Sequence, residues 1–305
     1  MRLKGQFGEG GEIVNFEEEA NILLGALSLF LTIVGASAWW IAAHAAQTRA
    51  FVDRLRNLPL PRRAASRYRS QIQFLVRRFR PGGAFGLSFT IGVAILTASA
   101  WVFGGLLEDV FAHEEIALVD APVMSYIAAR RLPWLTNAME ATTYLGGAGF
   151  VVAALLLGGV ALRRRTRSWR PFLLLGAAAL GAATLDLAVK LAVHRPRPPA
   201  AWMAAPVAGW AFPSGHSVES TAVYGALAYL IAETQKDWRM KVGSLASAIL
   251  ISFLIGISRV YLGVHWLTDV VAGWALGFAW LAIVFTTDSI IQGADRNREG
   301  GARVR

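Results

Sequence analysis

The sequence predicts an all-α, polytopic membrane helical bundle, and three observations support this fold class. Of the 305 residues, 55% are hydrophobic and 16% are charged, whereas soluble domains carry about 25% charged residues. The mean hydropathy is positive, at +0.46. Apolar runs of about twenty residues recur along the chain, and a helix of that length crosses a bilayer core of about 30 Å. We expect a core of six spans preceded by one extra N-terminal transmembrane helix.

Residues 1–83 lie outside the predicted core. Residues 1–19 are polar and glycine-rich, and they are interpreted as an N-terminal tail. Residues 20–46 are interpreted as the extra transmembrane helix, because this run follows three glutamates and lacks the basic start of a signal peptide. Residues 47–83 form a linker with ten arginines and one acid, Asp53. Positively charged loops stay inside, so the linker is predicted to be cytoplasmic.

The core is predicted to occupy residues 84–285, followed by a cytoplasmic C-terminal tail, residues 286–305. The first span ends in an acidic loop that includes Asp120, and the mixed-polarity residues 121–135 are expected to form a surface helix. The six expected core spans are 84–107, 141–162, 171–193, 214–233, 242–262 and 266–285. With basic clusters marking the inner loops, seven spans place the N-terminus outside and the C-terminus in the cytoplasm of a plasma (inner) membrane.

Composition also narrows the function classes. The net charge of +10 resides mostly in arginine clusters between apolar runs, which indicates topology and contact with anionic lipid rather than nucleic-acid binding. The chain has no cysteine, so disulfide bonds and thiolate chemistry are excluded.

Ionisable and polar residues cluster at the predicted outer ends of three consecutive pairs of spans. The clusters are Lys190 to Pro198, Pro213 to His216 and Ser258 to Asp269. Ionisable groups cost roughly 2.5–3.5 kcal/mol each at the centre of a spanning helix, so they persist mainly where a function compensates. Taken singly, Lys190 and Arg197 also suit an interface or a loop, and the second cluster also suits an ordinary helix start.

The third cluster has the spacing of a turn between two helices. Gly263 permits the turn, with Ser258 and Arg259 ending one helix and His265 and Asp269 beginning the next. The latter two are four residues apart on one helical face, where the carboxylate accepts a proton from Nδ1 and leaves Nε2 free to attack. A helix-start ion pair and an arginine that reaches the interface are the alternatives for this segment considered alone.

Together the three clusters supply what a phosphoryl group needs. Cations hold its equatorial oxygens, neutral donors assist them, and histidines serve as nucleophile and proton donor on the two apical sides. The candidate phosphate-binding residues are Lys190, Arg197, Ser214, Gly215 and Arg259, and the candidate histidines are His216 and His265.

The sequence resembles the type 2 phosphatidate phosphatase superfamily, which shares its site with vanadium haloperoxidases and bacterial acid phosphatases. The three parts of the family signature are Lys-x6-Arg-Pro, Pro-Ser-Gly-His and Ser-Arg-x5-His-x3-Asp. They occur here in order, as Lys190 to Pro198, Pro213 to His216 and Ser258 to Asp269. The resemblance covers roughly residues 84–285, and it makes the six-span core a phosphatase core.

The resemblance implies a role for each matching residue. His265 is expected to be the nucleophile that forms a phosphohistidine, Asp269 to orient it, and His216 to protonate the leaving oxygen and later to activate water. The phosphate-binding residues named above are expected to bind the phosphoryl oxygens, with neither a metal ion nor another cofactor.

Two carboxylates next to the signature are further candidates. Asp186 lies four residues before Lys190 and is expected to hold its ammonium group, as a site partner or as a buried polar pair. Glu219 lies three residues after His216 and is a candidate for raising its pKa, with a contact to a neighbouring helix or water as the alternative.

The predicted function is hydrolysis of a lipid phosphate or diphosphate at the outer face of the membrane. The partners are the lipid substrate and the bilayer, and a loop containing Trp202, Met203 and Trp210 is expected to dip into the interface. An undecaprenyl-diphosphate phosphatase is the first choice. The alternatives are a phosphatidylglycerophosphate or phosphatidate phosphatase and a lipid phosphotransferase. A vanadate-dependent haloperoxidase and a non-catalytic lipid-binding protein are more remote hypotheses.

Overall fold

The computed structural model describes residues 87–112 and 119–302, together with residues 32, 36, 40, 43 and 44. The predicted tail, extra helix and basic linker, residues 1–83, lie outside the described part apart from those five positions. All regular elements in the two described ranges are helical. They are α1 (Leu87–Ala112), α2 (Asp120–Ala129), α3 (Pro133–Tyr144), α4 (Ala148–Thr166), α5 (Arg170–Val193), a 3₁₀ turn (Ala200–Trp202), α6 (Gly215–Thr234), α7 (Trp238–Tyr261) and α8 (Leu267–Ala302).

Helix α6 is the centre of the bundle. It packs against α4, α5, α7 and α8, and half of its twenty residues are buried. Its sequence is rich in alanine, serine and threonine, and such small side chains allow neighbouring helices to approach closely. The core around it is apolar, with Leu175, Ala178 and Ala226 fully buried where α5 meets α6.

Two glycines on α8 set its distance from α6. A Cβ at Gly273 would lie 2.8 Å from the backbone oxygen of Ser214, and a Cβ at Gly277 would lie 2.7 Å from Thr221 Cβ. Gly273 and Gly277 are separated by one helical turn, which is the spacing of the small-residue motif found at close helix crossings. This contact brings the first turns of α6 and α8 together.

The span predicted for residues 141–162 is broken in the structure between α3 and α4. The two helices meet at an angle of 49°. At the break, Gly147 is extended, and a Cβ at Gly146 would lie 2.5 Å from Ile255 Cγ2 and 3.0 Å from His216 Cδ2. The missing side chain lets the backbone of the bend approach α6 and α7.

Four helices in the described part are long and apolar enough to cross a membrane. Their spanning segments are Phe89–Ala112, Arg170–Val193, Trp238–Tyr261 and Leu267–Gly293, and α3 with α4 makes a fifth if the bent pair is one span. Helix α6 is not among these candidates, and half of its residues are buried in the bundle. The number of seven spans stays a prediction.

The two ends of the bundle differ in chemistry. At one end, segment 194–214 joins α5 to α6, and segment 262–266 joins α7 to α8. The two segments are linked by a hydrogen bond from Ala204 N to Leu262 O of 2.8 Å. At the opposite end, Arg170 donates to Asp288 at 2.5 Å and to Glu233 at 2.7 Å. This ion cluster fixes the start of α5 against the end of α6 and the C-terminal half of α8.

Replacing Gly263 by alanine is expected to destabilise the fold strongly. Gly263 has a φ of +77°, and a Cβ there would lie only 1.9 Å from the Trp202 carbonyl oxygen. Gly209 is a matched control, since its φ is +89° but a Cβ there would meet nothing within 4 Å. We expect Gly209→Ala to cost about 1 kcal/mol of backbone strain, and Gly263→Ala to cost a further 1–3 kcal/mol or so from overpacking. Thermal unfolding in detergent measures both, and equal losses would contradict the predicted steric clash.

Candidate active site

The three clusters predicted from the sequence meet at one end of the bundle. Ser214 N donates to the backbone oxygen of Asp269 at 2.9 Å, which joins the second cluster to the third. A Cβ at Gly215 would lie 3.0 Å from Lys190 Nζ, so the first cluster lies directly beside the second. The contacts arise because α5 and α7 end where α6 and α8 begin. The order of the helices therefore brings three segments that are distant in the chain together in one site.

His265 lies in the turn before α8 rather than on the helix, which begins at Leu267. It is buried, and its Nε2 lies 3.2 Å from Arg197 Nη1. A guanidinium only donates hydrogen bonds, so Nε2 must be the acceptor and the ring proton must reside on Nδ1. The nitrogen expected to attack phosphorus is therefore unprotonated and faces a fixed cation.

The surroundings of His265 favour its neutral form. Burial lowers the pKa of His265 well below its ordinary value of 6.5, and the positive charges of Arg197, Arg259 and Lys190 lower it further. Both causes act in the same direction, because desolvation and nearby cations each disfavour an imidazolium. The imidazole is neutral at neutral pH, as a nucleophile requires.

Asp269 approaches His265 less closely than the sequence spacing predicted. Its Oδ2 lies 3.4 Å from His265 Nδ1, and no hydrogen bond joins these two atoms. Instead, Oδ2 accepts from Trp266 N at 2.9 Å, and Oδ1 accepts from Arg195 at 2.5 Å. The carboxylate is held by these other donors, because His265 precedes the helix and Asp269 lies in its first turn.

The three predicted cations surround His265 from different elements. Lys190, on α5, is held by both carboxylate oxygens of Asp186 at 2.6 and 2.7 Å. Arg197 lies in the segment after α5 and is fixed by the carbonyl groups of Val264 and Gly209 at 2.6 and 3.0 Å.

Arg259 comes from the last turn of α7 and is buried. Its Nη1 donates to Thr143 Oγ1 at 2.8 Å, and its buried Nε has no hydrogen-bond partner among the described residues. A buried N–H without a partner is costly, so this group is well suited to donate to a ligand oxygen.

The start of α6 presents neutral donors to the same region. Ser214 is fully buried, and its hydroxyl has no hydrogen-bond partner in the described part of the chain. Free N–H groups at a helix N-terminus attract anions. At Gly215, a Cβ would lie 3.0 Å from Asp186 Oδ2 as well as from Lys190 Nζ, so glycine permits the close approach of these groups to the helix.

His216 occupies the second position of α6, with its ring packed against Gly146 at the bend between α3 and α4. Its electrostatic neighbours are Arg259, His265, Lys190 and Arg197. Glu219 is partly buried one turn later, and no hydrogen bond joins it to His216. The charged groups nearest to act on Glu219 are instead Asp186 and Lys190, so its effect on His216 stays a prediction.

The sequence reading missed four residues that contact the site. Arg195 bridges Asp269 and Asp120, Thr268 binds Asp120, and Thr143 binds Arg259. The sequence predicts Asp120 in an acidic loop, but in the structure it begins α2 and is only 2% exposed. The repeated Arg-Pro pair at Arg195 to Pro198 is the one available signal, because a second arginine lies two residues before the signature arginine, Arg197.

The loop predicted to reach the interface packs over this end of the bundle. The Trp202 carbonyl accepts from Arg131 at 2.8 Å, while the Trp202 and Trp266 rings meet edge to face with centroids 6.3 Å apart. Trp210 is 41% exposed. Within residues 89–112 and 119–293, no group of three or more His, Asp or Glu side chains is arranged to hold a metal ion.

Comparison with known proteins identifies related sequences. The profile of the PAP2 superfamily matches residues 170–290. Phosphatidylglycerophosphatase B of Bacillus subtilis is 30% identical over 201 residues, which make up 64% of this chain and 95% of that protein. Decaprenylphosphoryl-5-phosphoribose phosphatase of Mycobacterium tuberculosis is 34% identical over 154 residues, 50% of this chain and 76% of that protein. Undecaprenyl-diphosphatase of Sulfolobus acidocaldarius is 39% identical over 75 residues, 25% of this chain and 32% of that protein.

A solved structure shares the fold. The crystal structure of a transmembrane PAP2-type phosphatidylglycerolphosphate phosphatase from Bacillus subtilis matches with a TM-score of 0.58 and 28% identity, over 62% of this chain and 95% of that chain. This similarity confirms the predicted all-α membrane bundle. Because the sequence match also extends over nearly the whole length of a relative, the chain belongs to the PAP2 superfamily.

Proposed function

We propose that this chain is a membrane lipid phosphatase that transfers a phosphoryl group from a lipid phosphate or diphosphate to His265 and then to water. The observation that carries the proposal is the contact of 3.2 Å between His265 Nε2 and Arg197 Nη1. It pairs an unprotonated nitrogen with a cation that would bind the phosphoryl oxygens. The names of the relatives, all phosphatases, support the reaction class.

The proposed reaction has two steps. First, the Nε2 lone pair attacks phosphorus, the bond from phosphorus to the leaving oxygen breaks, and His216 gives that oxygen a proton. The imidazole becomes cationic, and the Asp269 carboxylate beside Nδ1 stabilises it. Second, His216 takes a proton from water, which attacks the phosphohistidine and releases phosphate. The residues proposed to bind the phosphoryl oxygens are Lys190, Arg197, Ser214, Gly215 and Arg259, and no step requires a metal ion.

Among lipid phosphates, we favour a prenyl diphosphate such as undecaprenyl diphosphate as the substrate. The names of two relatives, an undecaprenyl-diphosphatase and a decaprenylphosphoryl-5-phosphoribose phosphatase, support a polyprenyl tail. Phosphatidylglycerophosphate is the second candidate, because the relative matched over 95% of its length is phosphatidylglycerophosphatase B. All these lipids present the same phosphoryl chemistry to the site.

Turnover of a lipid panel tests the function and the substrate together. Purified protein in detergent with a chelator is given undecaprenyl diphosphate, phosphatidylglycerophosphate and phosphatidate, and kcat/KM for phosphate release is compared. The highest kcat/KM is expected for the prenyl diphosphate. A preference for phosphatidylglycerophosphate would select the second candidate, and transfer to an added lipid alcohol in place of water would indicate a phosphotransferase. No release from any of the three would contradict the proposed function.

The site is proposed to face outward, and the absence of native cysteine makes this easy to test. Ala208 lies exposed in the segment between α5 and α6, and Lys236 lies exposed between α6 and α7 at the opposite end. We expect a membrane-impermeant maleimide to label Ala208→Cys in intact cells and to label Lys236→Cys only after the cells are opened. The reverse pattern would place the site in the cytoplasm.

A further inference from the structure

Arg195 lies between two buried carboxylates. Its Nη1 donates to Asp269 Oδ1 at 2.5 Å, and its Nη2 donates to Asp120 Oδ2 at 2.7 Å. Asp269 is 0% exposed and Asp120 is 2% exposed. Two carboxylates this deeply buried would destabilise each other without a cation, so the guanidinium allows both to be ionised.

Thr268 closes these contacts into a network. Its backbone N–H donates to Asp120 Oδ1 at 3.0 Å, and its hydroxyl donates to Asp120 Oδ2 at 2.5 Å. The same hydroxyl accepts from Arg195 Nη1 at 2.7 Å. Helix α2 is thereby tied to the first turn of α8, at the residue immediately before Asp269.

The network determines which way the Asp269 carboxylate faces. With Oδ1 held by Arg195 and Oδ2 held by Trp266 N at 2.9 Å, Oδ2 is left 3.4 Å from His265 Nδ1. When Nε2 bonds to phosphorus, the imidazole gains a positive charge while its proton stays on Nδ1. A carboxylate that is already charged and already adjacent stabilises that charge without reorganisation.

We propose that Arg195, Asp120 and Thr268 are positioning residues that keep Asp269 charged and directed at His265. This inference rests on the proposed phosphohistidine reaction. It assigns to α2, which carries none of the signature residues, a direct part in arranging the site.

A direct phosphate-binding role for Arg195 fits the contacts less well. Its Nη1 donates to two protein oxygens and its Nη2 to a third, and its side chain is 12% exposed. Arg259, by contrast, keeps a buried Nε without a described partner, and Arg197 directly contacts the nucleophile. The guanidinium of Arg195 is therefore occupied by protein oxygens. It contacts Asp269 through Oδ1, whereas Oδ2 is the oxygen that lies near His265.

Three variants test the network with different degrees of disturbance. Thr268→Val removes only the hydrogen bonds of the hydroxyl group, and Asp120→Asn removes one negative charge. Arg195→Lys keeps the positive charge but loses the forked guanidinium group that reaches both carboxylates. We expect kcat for phosphate release to fall by up to about a hundredfold, as for a misplaced catalytic group. KM and the inhibition constant of inorganic phosphate should stay within about twofold of wild type, because no phosphate contact is lost.

The matched control for the mildest variant is Thr221→Val. Thr221 is buried on α6, and its hydroxyl has no hydrogen-bond partner among the described residues. The same change of side chain is expected to leave kcat unchanged there. A loss of kcat in Thr268→Val but not in Thr221→Val assigns the effect to the hydrogen bonds of the network.

Combination with Asp269→Asn separates positioning from a general structural role. If Arg195 acts through Asp269, Arg195→Lys lowers kcat in the wild-type background but adds little in the Asp269→Asn background, whereas independent losses would multiply. With an active wild type, three results would each overturn the inference. The first is an unchanged kcat in folded Thr268→Val and Asp120→Asn, and the second is losses of kcat that multiply when Arg195→Lys is combined with Asp269→Asn. The third is a raised inhibition constant for phosphate in the network variants. An inactive wild type would overturn the proposed function and this inference with it.

Discussion

The His265→Ala variant is expected to lose phosphate release, with kcat lowered by at least about 10⁴-fold, as when the nucleophile of a covalent mechanism is removed. The structure gives the reason: the Nε2 of His265 is the unprotonated nitrogen beside Arg197, and alanine offers no atom to accept the phosphoryl group. Phosphate release from detergent-solubilised protein in chelator measures the loss. Reactions with a ³²P-labelled lipid that are quenched in alkaline denaturant, in which a phosphohistidine is stable, should show a phosphoenzyme in wild type and none in the variant.

His194 provides the control for His265. It lies just beyond α5 with a φ of +51°, and its ring meets Trp210 edge to face with centroids 4.8 Å apart. His194→Asn removes an imidazole at the same end of the bundle, and asparagine tolerates the left-handed conformation. Its kcat should resemble that of wild type. Full activity in His265→Ala would contradict the proposed mechanism.

The His216→Ala variant is expected to show a loss that depends on the leaving group. A general acid contributes roughly 10²–10⁴-fold when the leaving oxygen needs a proton, as the alkoxide of a lipid phosphomonoester does. An aryl phosphate leaves as a stabilised anion and needs less help. The loss in phosphoryl transfer to the enzyme should therefore be much larger for phosphatidate than for p-nitrophenyl phosphate.

Rapid-quench kinetics separate the two steps in that variant. With p-nitrophenyl phosphate, His216→Ala should release a burst of nitrophenol and then stall, because water attack on the phosphohistidine also needs His216. His265→Ala should give no burst with either substrate. Equal losses in His216→Ala for both leaving groups, without a burst, would argue against His216 as the general acid.

Much of the candidate site could be predicted from residues that are close together in the sequence. The signature residues and Asp186 are recognised by spacings of a few residues along one helix or turn, and the structure brings all three clusters to one end. The contact of Asp186 with Lys190 follows directly from their i, i+4 spacing. Local periodicity and charge suffice for such pairs.

Contacts between residues that are distant in the sequence could not be predicted in the same way. Asp120 lies 148 residues before Thr268, and nothing in its local sequence distinguishes a buried partner from one more acid in a loop. The bend at Gly146 was missed for a related reason, since the glycine is explained by its approach to Ile255 and His216, which belong to other helices. Single-sequence patterns report a residue's neighbours along the chain and not those across the bundle.

The sequence by itself determined the fold class, the membrane environment, the family and the identities of the signature residues, because hydrophobic length and short motifs are local properties. Only the tertiary structure decided that His265 precedes α8, that Asp269 is held by Trp266 and Arg195 rather than by a hydrogen bond to His265, and that α2 reaches the site. The physical reason is that a buried carboxylate takes whichever donors the packed helices bring to it, and Arg195 and Asp120 come to the start of α8 from segments that are distant in the chain.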